Sequence, residues 1–131
     1  MIKASHELFE KYLEEAIDAI PPPYDSRLQN VAFILEDDPT PEQRLRLNLH
    51  PNETLFGLYE GVPLPVRNGA LKLLPDKITI FKSPLLAVSQ DKADLRDKIG
   101  RTLWHEVAHY YGLDHKRIHE LESKAHNNLQ G

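Results

Sequence analysis

The feature that most limits the fold is the run His105-Glu106-Val107-Ala108-His109-Tyr110-Tyr111-Gly112-Leu113-Asp114-His115. Side chains four apart lie on one helix face, so a helix through this run stands His105 beside His109. Gly112 then offers a place for a sharp turn, because glycine takes a positive φ without strain. Such a helix needs an apolar face to bury. Upstream, Leu95, Ile99 and Leu103, with Ala108 and Tyr111 inside the run, recur close to helical spacing and predict one long helix from Asp91 to Tyr111.

The residue types on this helix suit a metal. Two imidazoles at this spacing can each place a nitrogen about 2.0–2.1 Å from one zinc ion. Glu106, one residue beyond the first histidine, misses the ion but reaches a water beside it, as a general base must. A turn at Gly112 can return His115 to the same ion as a third ligand. Three protein ligands and one open position describe a catalytic zinc site, whereas four would describe a structural one. The chain has no cysteine, so any metal is held by His, Asp or Glu. The expectation is one Zn2+ per chain on His105, His109 and His115, with Glu106 as the base.

The rest of the chain reads as an α+β domain. From Ser5 to Ile20 the residues Leu8, Phe9, Tyr12, Leu13, Ala16, Ile17 and Ile20 mark a helix with Ser5 as N-cap, ended by Pro21-Pro22-Pro23. Val31–Leu35, Thr54–Pro63 and Lys77–Phe81 read as strands of a small mixed or antiparallel sheet, with a helical turn at Pro41–Leu47 and an irregular connection at Pro65–Leu74. A short helix is expected at Pro84–Val88 and a final one from His115 to Asn127. With 131 residues, all of this fits one domain, 1–131.

Composition narrows the partners. Hydrophobic residues at 40% and charged ones at 27% are ordinary for a globular domain. The 20 acidic and 16 basic residues give a net charge of −4, scattered along the chain, so neither nucleic acid nor an anionic membrane is an expected partner. No apolar run has the length of a signal peptide or membrane span, and with the absence of cysteine this points to a cytoplasmic protein. A peptide or protein substrate is the expected partner.

The long spacing from His105 to His115 resembles the zinc signature of the metzincin peptidases, which implies hydrolysis of peptide bonds. It departs from that pattern in having no methionine after the motif: Met1 is the only one, and only residues 116–131 follow His115. The closer resemblance is to the small bacterial family of minimal zincin-like metallopeptidases. It rests on the short length, the N-terminal helix, Leu55-Phe56-Gly57-Leu58-Tyr59-Glu60-Gly61-Val62-Pro63-Leu64, Ile78-Thr79-Ile80-Phe81 and the motif helix. In that family the last motif position is often aspartate, so His115 is a variant there and Asp114 beside it is a rival third ligand. The resemblance implies a zincin-like fold and a metal site. It leaves the substrate open, and a non-catalytic zinc-binding interaction or regulatory module is the alternative function.

Other residues have less distinctive readings. Glu120 or Glu122 serves better as a partner orienting a ligand histidine than as a ligand, and His119 is a minor substitute for His115. His6, His50 and His126 have no partner at metal spacing and are expected at the surface. Trp104 reads as a core anchor. Tyr110 and Tyr111 read as packing residues, with oxyanion stabilisation as the other possibility. Leu55–Glu60 is either ordinary sheet or an edge that accepts a substrate strand, with Gly57 and Gly61 admitting its backbone. Nothing distinguishes Arg67, Asn68 and Lys72 from solvated loop residues.

Overall fold

The computed structural model describes residues 2–25, 28, 31–61, 76–113, 116, 117 and 120. Its elements run α1 (His6–Asp18), β1 (Val31–Glu36), α2 (Pro41–Arg46), β2 (Gly57–Glu60), β3 (Asp76–Phe81), α3 (Lys82–Val88) and α4 (Lys92–Tyr111). The expected Pro65–Leu74 connection falls outside the described residues, and of the expected C-terminal helix only residues 116, 117 and 120 are described, all three helical.

Ser5 caps α1 as expected, its hydroxyl accepting the Leu8 N–H at 3.1 Å. Thr40 and Gln43 form a reciprocal capping box that starts α2. At the start of α4 the Asp91 carboxylate accepts the Asp94 N–H at 2.8 Å. The expected start of α3 at Pro84 is two residues late. The helix begins at Lys82, and Pro84 sits in the first turn, where its missing N–H would have had no partner within the helix.

The sheet is mixed, in the order β1-β3-β2. β1 runs parallel to β3, with Phe33 opposite Ile78 and Leu35 opposite Ile80, and β2 runs antiparallel to β3, with Gly57 opposite Ile80 and Tyr59 opposite Ile78. β2 is shorter than the expected Thr54–Pro63. Gly61 ends it, turning at φ +156° so close to Asp76 that a Cβ there would lie 2.3 Å from Oδ1.

Side chains alternate across a strand, so Ile78 and Ile80 point to one face of β3, and α1 and α4 cover them. Phe9, Leu13 and Ala16 from α1, and Ile20 just after it, meet Leu95, Ile99, Leu103, Trp104 and Val107 from α4 and Leu85 from α3. Arg96 on α4 and Glu15 on α1 join across the rim of this core at 2.5 Å. Trp104 is 1% exposed, as befits a core anchor, and Tyr24 packs edge-on against it. The core thus fixes one face of α4 and leaves the stripe Lys98, Thr102, His105 and His109 to face elsewhere.

Candidate metal centre

That stripe faces a cavity of about 810 Å³ under β2. Helical spacing places His105 and His109 in contact, with ring centres 4.8 Å apart and planes at 74°. An ion bound at about 2.0–2.1 Å to a nitrogen of each ring can bridge such a gap. The His109 side chain is 45% exposed, so an ion has access to it.

Glu106 is 7% exposed, and its carboxylate also lines the cavity. Its Oε1 accepts the backbone N–H of Tyr59 at 2.9 Å and lies 3.2 Å from His109 Nδ1. Among the described residues, Oε2 has no hydrogen-bond partner. The hydrogen bond that the Glu106 carboxylate accepts from His109 raises the His109 pKa above its ordinary value, prevailing over the opposite effect of burial. A neutral His109 that donates from Nδ1 presents the Nε2 lone pair outward, the arrangement usual for ligating histidines held by a carboxylate.

The position of β2 makes the Tyr59–Glu106 contact possible. Phe81 N–H donates to Phe56 C=O at 2.9 Å. Main-chain groups alternate along an antiparallel strand, so those of Gly57 and Tyr59 point away from β3 toward the cavity side. Gly57 also lies hard against α4: a Cβ there would be 2.7 Å from Thr102 Cγ2 and 3.3 Å from Glu106 Cγ. The helix side chains, rather than a substrate backbone, are what require glycine at this position.

The far wall of the cavity comes from the α2–β2 connection, through Leu47, Leu49, Leu55 and Phe56. Arg44 shapes this connection, its Nη2 donating to the carbonyls of His50 and Glu53, each at 2.7 Å. Glu60 fastens α2 to β2 by accepting from Gln43 at 3.0 Å and pairing with Arg46 and Lys77. Burial raises the Glu60 pKa, but the hydrogen bonds from Arg46 and Gln43 and the nearby cations together hold it below the ordinary value.

Gly112 adopts the left-handed conformation expected of it, at φ 68°, with its N–H on the His109 carbonyl and the Leu113 N–H on that of Ala108. The chain therefore leaves α4 in a sharp turn immediately after the histidine pair. Asp114, His115, His119, Glu122 and His126 lie outside the described residues, as do Arg67, Asn68 and Lys72. Among the described residues no third His, Asp or Glu joins the pair in a metal-binding group. His6 and His50 are exposed, and Glu120 pairs with Arg117 at 3.1 Å. Tyr110 is buried with its ring against Tyr59, and the Tyr111 hydroxyl donates to the Tyr24 carbonyl at 2.5 Å. Neither tyrosine lines the cavity.

In the sequence Leu55–Glu60 reads as a possible edge strand, but nothing there marks the hold of Tyr59 on Glu106 or the part that Leu47 and Leu49 take in the wall. Thr102 had a usable signal, since it stands three residues before His105 on the same helix face. The wall had none, because it meets α4 only through the tertiary fold.

An α+β fold in which a long helix carries two histidines and a glutamate beneath the edge of a mixed sheet defines the zincin class. Residues 28–125 match the zincin-like metallopeptidase family, and the chain belongs to that family. The family implies zinc binding and a peptidase-type fold. A search among curated proteins finds no match. No helix among the described residues is long and apolar enough to cross a membrane.

Proposed function

We propose that the protein is a zinc-dependent peptidase in which His105, His109 and His115 hold the metal and Glu106 is the general base. The observation that carries this reading is the convergence of His105, His109 and the Glu106 carboxylate on one cavity wall, beside the outward main chain of β2. The donor set fits zinc: two nitrogens at chelating separation, one oriented by a carboxylate, with no competing thiolate.

When bound, zinc supplies Lewis acidity, which makes water ionisable near neutral pH and polarises a carbonyl. The chain's own residues do the rest. Glu106 Oε2, the carboxylate oxygen without a partner among the described residues, accepts the proton of the attacking water and delivers it to the leaving amine. Tyr59 N–H and His109 Nδ1 hold the other oxygen, which fixes the direction in which Oε2 points. The edge of β2 offers main-chain groups along which an extended peptide can lie.

The test is zinc content by elemental analysis, followed by a peptide-library assay. Wild type is expected to hold about one zinc per chain. His105→Ala, His109→Ala and His115→Ala lose it, Asp114→Ala keeps it, and Glu106→Gln keeps it without cleaving any peptide. A wild-type protein that takes up no zinc when it is supplied refutes the reading.

One observation favours a second reading, a non-catalytic zinc module. Glu106 already makes the contact by which a carboxylate orients a ligand histidine. In that case Glu106→Gln weakens zinc binding, by about 10–100-fold, and wild type cleaves nothing.

A further inference from the structure

Resting on the peptidase reading, we propose that the cavity selects a peptide bearing one bulky apolar side chain beside the bond to be cut. Leu47, Leu49, Leu55 and Phe56 form the selecting wall, and Arg44 is the positioning residue that sets its shape. Three observations carry this.

The first is continuity. His105, Glu106 and His109 line the same cavity as the four apolar residues, so a side chain entering it belongs to a residue close to the reacting bond. The volume, about 810 Å³, is in the range of ligand sites and exceeds the needs of one water or ion.

The second is the character of the walls. Leu47 and Phe56 are 40% and 39% exposed, large apolar groups turned toward an opening that nothing in the described chain fills. The cavity also contains two cations, Lys98 and Arg101, which would suit an acidic side chain. Both are already matched: Lys98 reaches both Asp94 oxygens at 2.7 Å, and Arg101 pairs with Asp97 at 3.0 Å. With those charges balanced, burial of apolar surface is the interaction left to discriminate between side chains.

The third is the construction of the wall. The connection from Leu47 to Phe56 has no strand or helix of its own, yet Arg44 fastens its carbonyls at His50 and Glu53, and His50 N–H is held by the Glu53 carboxylate at 3.1 Å. Arg44 touches no substrate. It acts by holding the backbone that carries Leu49 and Leu55.

The experiment uses methyl-labelled Glu106→Gln protein, with zinc supplied or removed by EDTA. It is titrated with two acetylated, amidated tetrapeptides, Ala-Ala-Leu-Ala and Ala-Ala-Gly-Ala, followed by NMR. The leucine peptide is expected to shift the methyl signals of Leu47, Leu49 and Leu55 and to bind on the order of tenfold or more tightly than the glycine peptide. That ratio falls toward one when Leu47→Ser and Phe56→Ser are combined. It falls likewise in Arg44→Ala, with the glycine affinity unchanged in both. Equal affinities, binding by neither peptide, or a leucine preference untouched by the wall substitutions would overturn the proposal, and a preference untouched in Arg44→Ala would overturn the role given to Arg44. Leucine selectivity in a protein that takes up no zinc upholds the wall while refuting the peptidase reading. Zinc uptake without side-chain selectivity does the reverse.

Discussion

Replacing Gly57 with alanine tests how β2 is seated on α4. The added methyl would lie 2.7 Å from Thr102 Cγ2, 3.2 Å from the Thr79 carbonyl and 3.3 Å from Glu106 Cγ. The first separation is far inside van der Waals contact, so β2 or Thr102 must move. Overpacking of this kind costs about 1–3 kcal/mol. Gly57 is not at a positive φ, so alanine brings no backbone strain. Its stiffening of the unfolded chain returns about 0.4–1 kcal/mol. The net is a loss on the order of 1–2 kcal/mol. Unfolding entropy of about 2.1 cal/mol/K per residue over 131 residues converts this into a fall in Tm of roughly 4–7 °C.

The decisive form is a double-mutant cycle. Thr102→Ser removes the methyl that clashes, so it should recover much of the loss in the Gly57→Ala background while costing little by itself. Coupling of about 0.5 kcal/mol or more, read by urea unfolding, is the expected sign of direct contact. Gly57→Ala at wild-type stability, or strictly additive effects, would refute the seating of β2 on Thr102.

Glu60 gives a pH prediction. Its folded pKa lies below the ordinary glutamate value, so its pairing contributes fully above that value and is lost as pH falls through the lower folded one. The stability difference between wild type and Glu60→Gln should therefore shrink on going from pH 6 to pH 3, measured by urea unfolding; a constant difference would contradict the assignment. Zinc supplied at 100 times its Kd should stabilise the protein by about 2.7 kcal/mol, a rise near 10 °C on the same scale, and the rise should vanish in His109→Ala. Leu103→Ala, at a fully buried site, should cost about 2–5 kcal/mol, whereas Leu45→Ser, 84% exposed, should stay within about 0.5 kcal/mol; similar costs for the two would contradict the placement of the core.

Local chemistry made much of this fold legible. Ser5, the proline run and the apolar spacing of Phe9, Leu13 and Ala16 mark α1, and Gly112 marks the end of α4, because caps and helix faces depend on residues within one or two turns. The capping box at Thr40 and Gln43 is equally local, although the segment reads in the sequence only as a helical turn. The parallel pairing of β1 with β3 joins residues about 45 positions apart, such as Val31 and Asp76, and no short-range pattern encodes it. The site divides in the same way. His105, Glu106 and His109 follow from helical spacing, whereas the hold of Tyr59 on Glu106 and the wall opposite come from elements 40 to 60 residues upstream.

Because α4 carries core and site on adjoining faces, the two cannot vary independently. Successive residues on a helix are about 100° apart, so a rotation large enough to redirect His105 and His109 would also pull Leu95, Ile99 and Leu103 from their sockets. Cavity-forming changes at those three positions should accordingly register as a loss of metal affinity in protein that is still folded. For this chain, the aim of the histidine pair is a sensitive gauge of internal packing.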